Sequence, residues 1–169
     1  MLKKFYPNDY VNSTYNINFS EYWNNGYRAV IFDIDNTLVP HGKPIEDRAL
    51  RLMGELREQG FKICLMSNNK ESRVAPFAKA LAAPYISKAN KPFKAGYLKA
   101  LGIVGMDKSK CIFVGDQLFT DVYGAKNIGI YSILVKPIHP SEEIQIVLKR
   151  YLEKIVLYFY EKDKVRKGI

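Results

Sequence analysis

The chain has only two cysteines in 169 residues, and its longest unbroken apolar run is the six-residue stretch Ile155–Tyr160. Cys64 and Cys111 each lie inside an apolar segment that reads as a strand. Buried reduced thiols are therefore expected rather than a disulfide scaffold, which fits a reducing cytoplasm better than secretion. Six apolar residues fall far short of the roughly twenty that a membrane-spanning helix needs. The charged start MLKKFYPNDY has no apolar h-region behind it, which argues against a signal peptide. Internal repeats and low-complexity tracts are lacking, as is any lysine-rich arm of the kind that marks a nucleic-acid tail. The expectation is a cytoplasmic protein that at most rests peripherally on a membrane surface.

Hydrophobic residues at 47% with 25% charged describe an ordinary globular protein, long enough to bury a sizeable core. One domain is expected over 1–169, with an N-terminal extension over 1–28 and an amphipathic helix and basic tail over 141–169. The net charge of +9 favours anionic ligands: phosphorylated metabolites, nucleic acid or an acidic membrane face. That excess is spread along the chain, with +6 in residues 29–141, +1 before them and +2 after.

From Ala29 onward, short β-rich runs alternate with segments of helical period. AVIF (29–32), FKICLM (61–66), YIS (85–87), CIFVG (111–115) and YSILV (131–135) read as strands. Helices are predicted over 45–59, 71–81, from Pro92 to Gly102, and around 118–127. The first carries Ile45, Ala49, Leu52, Met53 and Leu56 on one face and stops at Gly60. In the second, Val74, Phe77, Ala78 and Leu81 point inward, and Pro76 requires a late start or a kink. The third is expected to carry Phe93, Tyr97, Leu98 and Leu101. Such alternation implies a Rossmann-like, doubly wound parallel sheet, an α/β fold covered on both faces.

Folds of this kind bind ligands at the carboxyl ends of their strands. The first predicted strand ends in Asp33-Ile34-Asp35, directly after buried apolar residues. A solvated Asx-type turn, suited to Asn36 and Thr37, accounts for that cluster taken alone. But FKICLM ends in Ser67-Asn68-Asn69, YIS leads to Lys88 and Lys91, and CIFVG ends in Asp116. A solvated turn explains one such cluster well and four coincident ones poorly.

Phosphate monoester hydrolysis needs a nucleophile, charge neutralisation and a proton donor for the leaving oxygen. Asp33 suits the nucleophile of an aspartyl-phosphate pathway, and Asp35, two residues on, suits the general acid and base. Two carboxylates repel a phosphate dianion, so a divalent cation is required. Asp33 and Asp116 offer the hard oxygens that Mg²⁺ prefers. Ser67 and the backbone N–H groups after it, Asn68 first, can hold phosphoryl oxygens, and Lys91 can neutralise the remaining charge.

DIDNT (33–37), Ser67, Lys91 in NKP and GDQLFTD (115–121) resemble the four motifs of the haloacid dehalogenase-like superfamily. Thirty-four residues separate Asp33 from Ser67, 24 more reach Lys91 and 25 more reach Asp116, as in its phosphatases. Over roughly residues 1–137 the chain resembles the YqeG-like, IIIA-type branch. The resemblance implies Mg²⁺-dependent aspartyl-phosphate catalysis, the Asp35 main-chain carbonyl as a further metal ligand, and Asp121 orienting the metal shell or Lys91. Asp35 argues against dehalogenase chemistry, which has no leaving-group proton to supply. The short gaps between motifs leave no room for a cap domain, so an open site is expected. Relatives in this branch act on phosphatidylglycerophosphate, which makes that lipid a candidate substrate.

His41 and Lys43 form a flap that is either a solvated loop or a substrate contact, while Lys70 and Arg73 read as surface charges. Residues 18–26 read as a short helix with Asn18 and Glu21 in a capping box, and Tyr22 and Trp23 packed on the core. In the C-terminal segment, Ile144, Val147, Leu148, Tyr151, Ile155 and Phe159 form an apolar stripe that is expected to cover the sheet. Leu152, Val156 and Tyr160 widen it, and Lys162, Lys164, Arg166 and Lys167 follow, which leaves membrane or partner contact as the other reading. A competing function class is a binding module for RNA or protein that keeps the fold without catalysis. The intact set of Asp33, Asp35, Lys91 and Asp116 counts against it.

Overall fold

The computed structural model describes residues 2–139 and 144–167. Six strands form one parallel sheet: β1 (Asp9–Val11), β2 (Ala29–Phe32), β3 (Lys62–Met66), β4 (Tyr85–Ile86), β5 (Cys111–Gly115) and β6 (Tyr131–Val135). Their order is β1-β6-β5-β2-β3-β4, so the Rossmann-like parallel expectation holds. The central register places Val30 beside Ile63 and Ile112. β2, β3 and β5 therefore end at nearly one level.

Strand pleating divides the core. Val30, Phe32, Ile63, Leu65, Ile112 and Val114 face one side, where α1 (Phe19–Asn24), α2 (Asp47–Gln59) and α3 (Glu71–Ala80) pack. Ala29, Ile31, Cys64, Met66 and Phe113 face the other, against α4 (Lys94–Val104) and α5 (Tyr123–Ile128). Both cysteines are buried and free. α2 behaves as its period demands: Ala49, Leu52, Met53 and Leu56 are buried, and Gly60 caps the helix in the left-handed region at φ 101°.

Several local expectations need correction. α3 begins at Glu71, as its predicted range has it, with Pro76 inside, so the late start, one of the two outcomes expected of Pro76, does not occur. Pro76 and Ser72 are both exposed, so water can serve the carbonyl that the proline leaves without a donor. α4 runs past Gly102 to Val104 and is capped by Gly105 at φ 63°. Its inward face is Tyr97, Ala100 and Val104, whereas Phe93 and Leu98 are exposed. Asn18 makes no side-chain cap, so the expected capping box does not form, although Tyr22 and Trp23 do pack against the core. β1, unanticipated from its polar composition, pairs with the sheet edge at β6. A π-helical turn, Leu118–Val122, precedes α5.

The largest correction concerns α6 (Ile144–Lys167). Residues 141–143 and 168–169 of the predicted tail, and the side chain of Ile144, lie outside the described residues. Val147, Leu148, Tyr151, Ile155 and Phe159, of the stripe expected to cover the sheet, are 37–69% exposed, as is Leu152, which widens it. The buried face is Glu153, Val156 and Tyr160, with Leu157 half-buried against Leu118, Val122 and Leu134. By the time α6 arrives, five helices already cover both faces of the sheet. What remains among the described residues is a small patch around Leu134 of β6, Leu118 and Val122, and charged partners decide which side of α6 meets it. Among the described residues, no helix is long and apolar enough to cross a membrane.

Candidate active site

The ends of β2 and β5 bring Asp33 and Asp116 together. The Asp33 N–H continues the β2–β5 ladder to the Val114 carbonyl at 2.9 Å, which fixes Asp33 at the sheet edge. Both carboxylates are buried, and oxygens of Asp33, Asp116 and Asp121 all lie within 4.8 Å of one another. Asn36, buried with φ 61°, turns the chain after Asp35, a left-handed position that asparagine tolerates well.

Lys91 enters from the loop after β4. Its Nζ donates to Asp33 Oδ1 at 2.5 Å and to Asp121 Oδ1 at 2.7 Å. Asn68 fixes the Lys91 backbone: its Oδ1 accepts the Lys91 N–H at 2.7 Å, and its Nδ2 donates to the Lys91 carbonyl at 3.2 Å. The Asn68 side chain thus ties the two loops together. Its own N–H has no acceptor among the described residues, which leaves it available for a phosphoryl oxygen. Ser67 is buried and its Oγ accepts the Asn69 N–H. Asp121 is held on both oxygens, by Lys91 and by the Gln117 N–H at 3.1 Å. Gly115 makes this packing feasible, because a Cβ there would collide with the Asp121 carboxylate.

Burial pushes the Asp33 carboxyl up to about 6 against the pull of Lys91. Burial, with Asp33 alongside, raises Asp116 well above the usual carboxylate range, and Arg150 offsets this only in part. Burial works against the Lys91 ammonium, but Asp121 and Asp33 outweigh it and raise its pKa. The centre is therefore short of positive charge. One further detail locates the shortage. Among the described residues, Asp33 Oδ2 and Asp116 Oδ1 accept only long bonds, 3.4 and 3.3 Å, from the single Thr37 hydroxyl. One hydroxyl has one proton and cannot satisfy both. Two under-bonded, hard oxygens side by side fit a divalent cation.

Asp35 is held at the lip of the site. Its Oδ1 accepts from the Gly42 N–H at 2.9 Å and Arg73 Nη2 at 2.8 Å, and its Oδ2 accepts from Asn69 Nδ2 at 2.7 Å. Arg73 also donates to the Lys43 carbonyl, joining the flap to Asp35. It is thus part of the site and not the surface charge it was expected to be. A cavity of about 180 Å³ opens over the centre, lined by Asp33, Asp35, Ser67, Lys91, Asp116 and His41, among others. Lys43, Lys70, Lys88 and Lys94 do not line it.

Two residues of α6 reach the site and escaped the sequence reading altogether, Lys149 at the cavity and Arg150 on Asp116. Lys149 lines the mouth and makes no ion pair or hydrogen bond among the described residues. Arg150 donates to the Asp116 carbonyl at 2.5 Å, to Asp116 Oδ2, and to Glu153 Oε2 at 2.8 Å. Glu153, raised by burial despite Arg150, accepts the Leu118 N–H at 2.7 Å. The available signal was an Arg-x-x-Glu pair interrupting an apolar helix. A larger cavity of about 330 Å³ lies under α6 beside Leu134, Val135 and Leu157. Its walls are mainly apolar, so phosphate chemistry belongs to the smaller one.

Two buried strand-end carboxylates, Asp33 and Asp116, and a lysine bridging Asp33 to Asp121 lie at the carboxyl edge of a doubly wound sheet. The family model of the haloacid dehalogenase-like hydrolases matches residues 41–129. The chain belongs to that family, on its phosphatase branch. It is 35% identical over 159 residues to the probable phosphatase YqeG of Bacillus subtilis, covering 93% of this chain and 92% of that one. Among solved structures, an HAD phosphatase from Thermococcus onnurineus superimposes with TM-score 0.53 at 16% identity, over 69% of this chain and 89% of that one. A subfamily IIIA hydrolase from Legionella pneumophila gives TM-score 0.51 at 16% identity, over 69% and 72%. These two support the fold. The family match begins at His41 and so does not include Asp33 and Asp35.

Proposed function

We propose that the protein hydrolyses phosphate monoesters through a phosphorylated Asp33. The observation that carries this reading is the pair of under-bonded oxygens on Asp33 and Asp116, with Lys91 on the other oxygen of Asp33. A carboxylate oxygen of Asp33 forms the new bond to phosphorus as the bond to the alcohol oxygen breaks. Asp35 gives its proton to that departing oxygen. Asp35 then takes a proton from the water that attacks the acyl phosphate, which releases inorganic phosphate and restores Asp33. Ser67, the Asn68 N–H and Lys91 hold the phosphoryl oxygens, and Asp121 keeps Lys91 in place. Mg²⁺, held by Asp33, Asp116 and the Asp35 carbonyl, would supply charge neutralisation.

The substrate we would test first is phosphatidylglycerophosphate. Three features support an anionic, amphiphilic ester: the open mouth, the unpaired Lys149 and the exposed apolar face of α6 next to it. The same face, with the +9 charge, supports peripheral contact with an anionic bilayer. The experiment is phosphate release from an aryl ester and from micellar phosphatidylglycerophosphate with Mg²⁺. Asp33→Asn is expected to lower turnover by at least about 10³-fold. Undiminished turnover in that variant would reject the mechanism. RNA or protein binding without turnover of any ester would favour the binding-module reading instead.

A further inference from the structure

Arg150 contacts the candidate metal ligand with a full positive charge of its own. It reaches Asp116 at the carbonyl, 2.5 Å away, and at Oδ2, with Glu153 neutralising it from the same helix. We infer that Arg150 stands in for the divalent cation at Asp116, so that metal loading and the seating of the first turns of α6 oppose one another. The inference rests on the metal reading of Asp33 and Asp116 above.

The reasoning is electrostatic and positional. Asp116 is buried, and Arg150 is the cation that reaches its Oδ2. A dication placed between Asp33 and Asp116 competes for the same carboxylate charge and repels the guanidinium across a short, poorly screened distance.

Among residues 147–152, Arg150 is also the side chain that is not exposed and holds this part of the helix. Val147, Leu148, Lys149, Tyr151 and Leu152 are all exposed, whereas the apolar grip of α6 begins at Val156 and continues to Tyr160. Weakening the Arg150–Asp116 contact therefore releases residues 147–152 while leaving the C-terminal half seated. Linkage makes the coupling reciprocal: whatever the metal costs the helix, the helix costs the metal. Arg150 is on this account a positioning residue that tunes the metal ligand, not one that touches substrate.

The test titrates Mg²⁺ calorimetrically into metal-free wild-type protein, Arg150→Gln and Arg150→Lys. Amide hydrogen exchange over residues 147–152 is followed with and without metal. Arg150→Gln is expected to bind Mg²⁺ about 5–10-fold more tightly, the lower range of typical coupling. Arg150→Lys, which keeps the charge, should stay within about twofold of wild type. Exchange at 147–152 should speed up on adding metal to wild type. In Arg150→Gln it should already be fast, and metal should change it little. Equal or weaker Mg²⁺ binding by Arg150→Gln overturns the inference, as does metal that slows exchange at 147–152 in wild type. If wild type binds Mg²⁺ and Asp116→Asn binds it equally well, the metal assignment itself fails. Circular dichroism separates an unfolded variant from these outcomes, and the effect of metal on exchange at 147–152 in wild type tests the competition where Arg150→Gln does not fold.

Discussion

Helices α2 and α6 start from the same kind of amphipathic pattern and end with opposite orientations. α2 buries its stripe of Ala49, Leu52, Met53 and Leu56 against the sheet and keeps its charges outside. α6 turns its richer stripe to the outside and buries Glu153, with Arg150 beside it. The difference lies in what each helix finds when it docks. α2 meets a bare apolar sheet face, so area decides. α6 meets a small patch around Leu134 of β6 and, next to it, Asp116 and the Leu118 N–H that Glu153 accepts. A buried carboxylate and an orphaned backbone donor cost more to leave unpaired than a few apolar side chains cost to leave wet.

The comparison breaks if the outward face of α6 is in truth the gripping one, and three measurements bear on it. The largest effect belongs to α2. Leu56→Ala removes a fully buried side chain and is expected to cost about 2–5 kcal/mol, read as a lower urea midpoint at unchanged m. A loss under 1 kcal/mol would mean that the α2 face is not close-packed.

The second measurement exploits the charge at the α6 end. In metal-free protein, Asp33 titrates at about 6 in the folded state against 3.8 for the ordinary carboxyl. Its neutral form is the one that the folded state prefers. The associated stability is fully present below about pH 4 and is lost as pH rises through 6. Asp116 and Glu153, also raised by burial, act in the same direction. The Tm of metal-free protein should therefore fall by several degrees between pH 4 and 7, and millimolar Mg²⁺ should recover part of the loss at pH 7. A Tm that rises steadily across this range would show that these carboxylates are better served than their surroundings indicate.

The smallest effect is expected on the outward face of α6. Ile155→Ser should change stability by no more than about 0.5 kcal/mol, as exposed sites usually do. A cost above about 1 kcal/mol, or a shift in apparent mass by sedimentation, would mean that a second surface covers this stripe in solution.

The acidic centre was largely legible before any coordinates. Asp33, Ser67 and Asp116 sit at strand ends whose positions hydrophobic runs mark, with Lys91 in the loop after β4, and a parallel sheet brings those ends to one edge. What stayed hidden was held by single polar side chains: Thr37 between two carboxylates, Arg73 from α3 on Asp35, and Asn68 clasping the Lys91 backbone. Such contacts depend on rotamers and loop paths that no residue period encodes. The outward turn of α6 was misread for a related reason, since an apolar stripe states what a helix can bury and says nothing about whether an unfilled surface awaits it.

The sequence by itself determined the alternation of strands and helices, and with it the parallel sheet and the convergence of carboxylates from distant segments. Local hydrophobic period and chain direction suffice for that. Only the tertiary structure decided that Arg150 reaches Asp116 and that the apolar face of α6 stays outside. Both are choices among partners, and a choice among partners depends on what the rest of the fold has already covered.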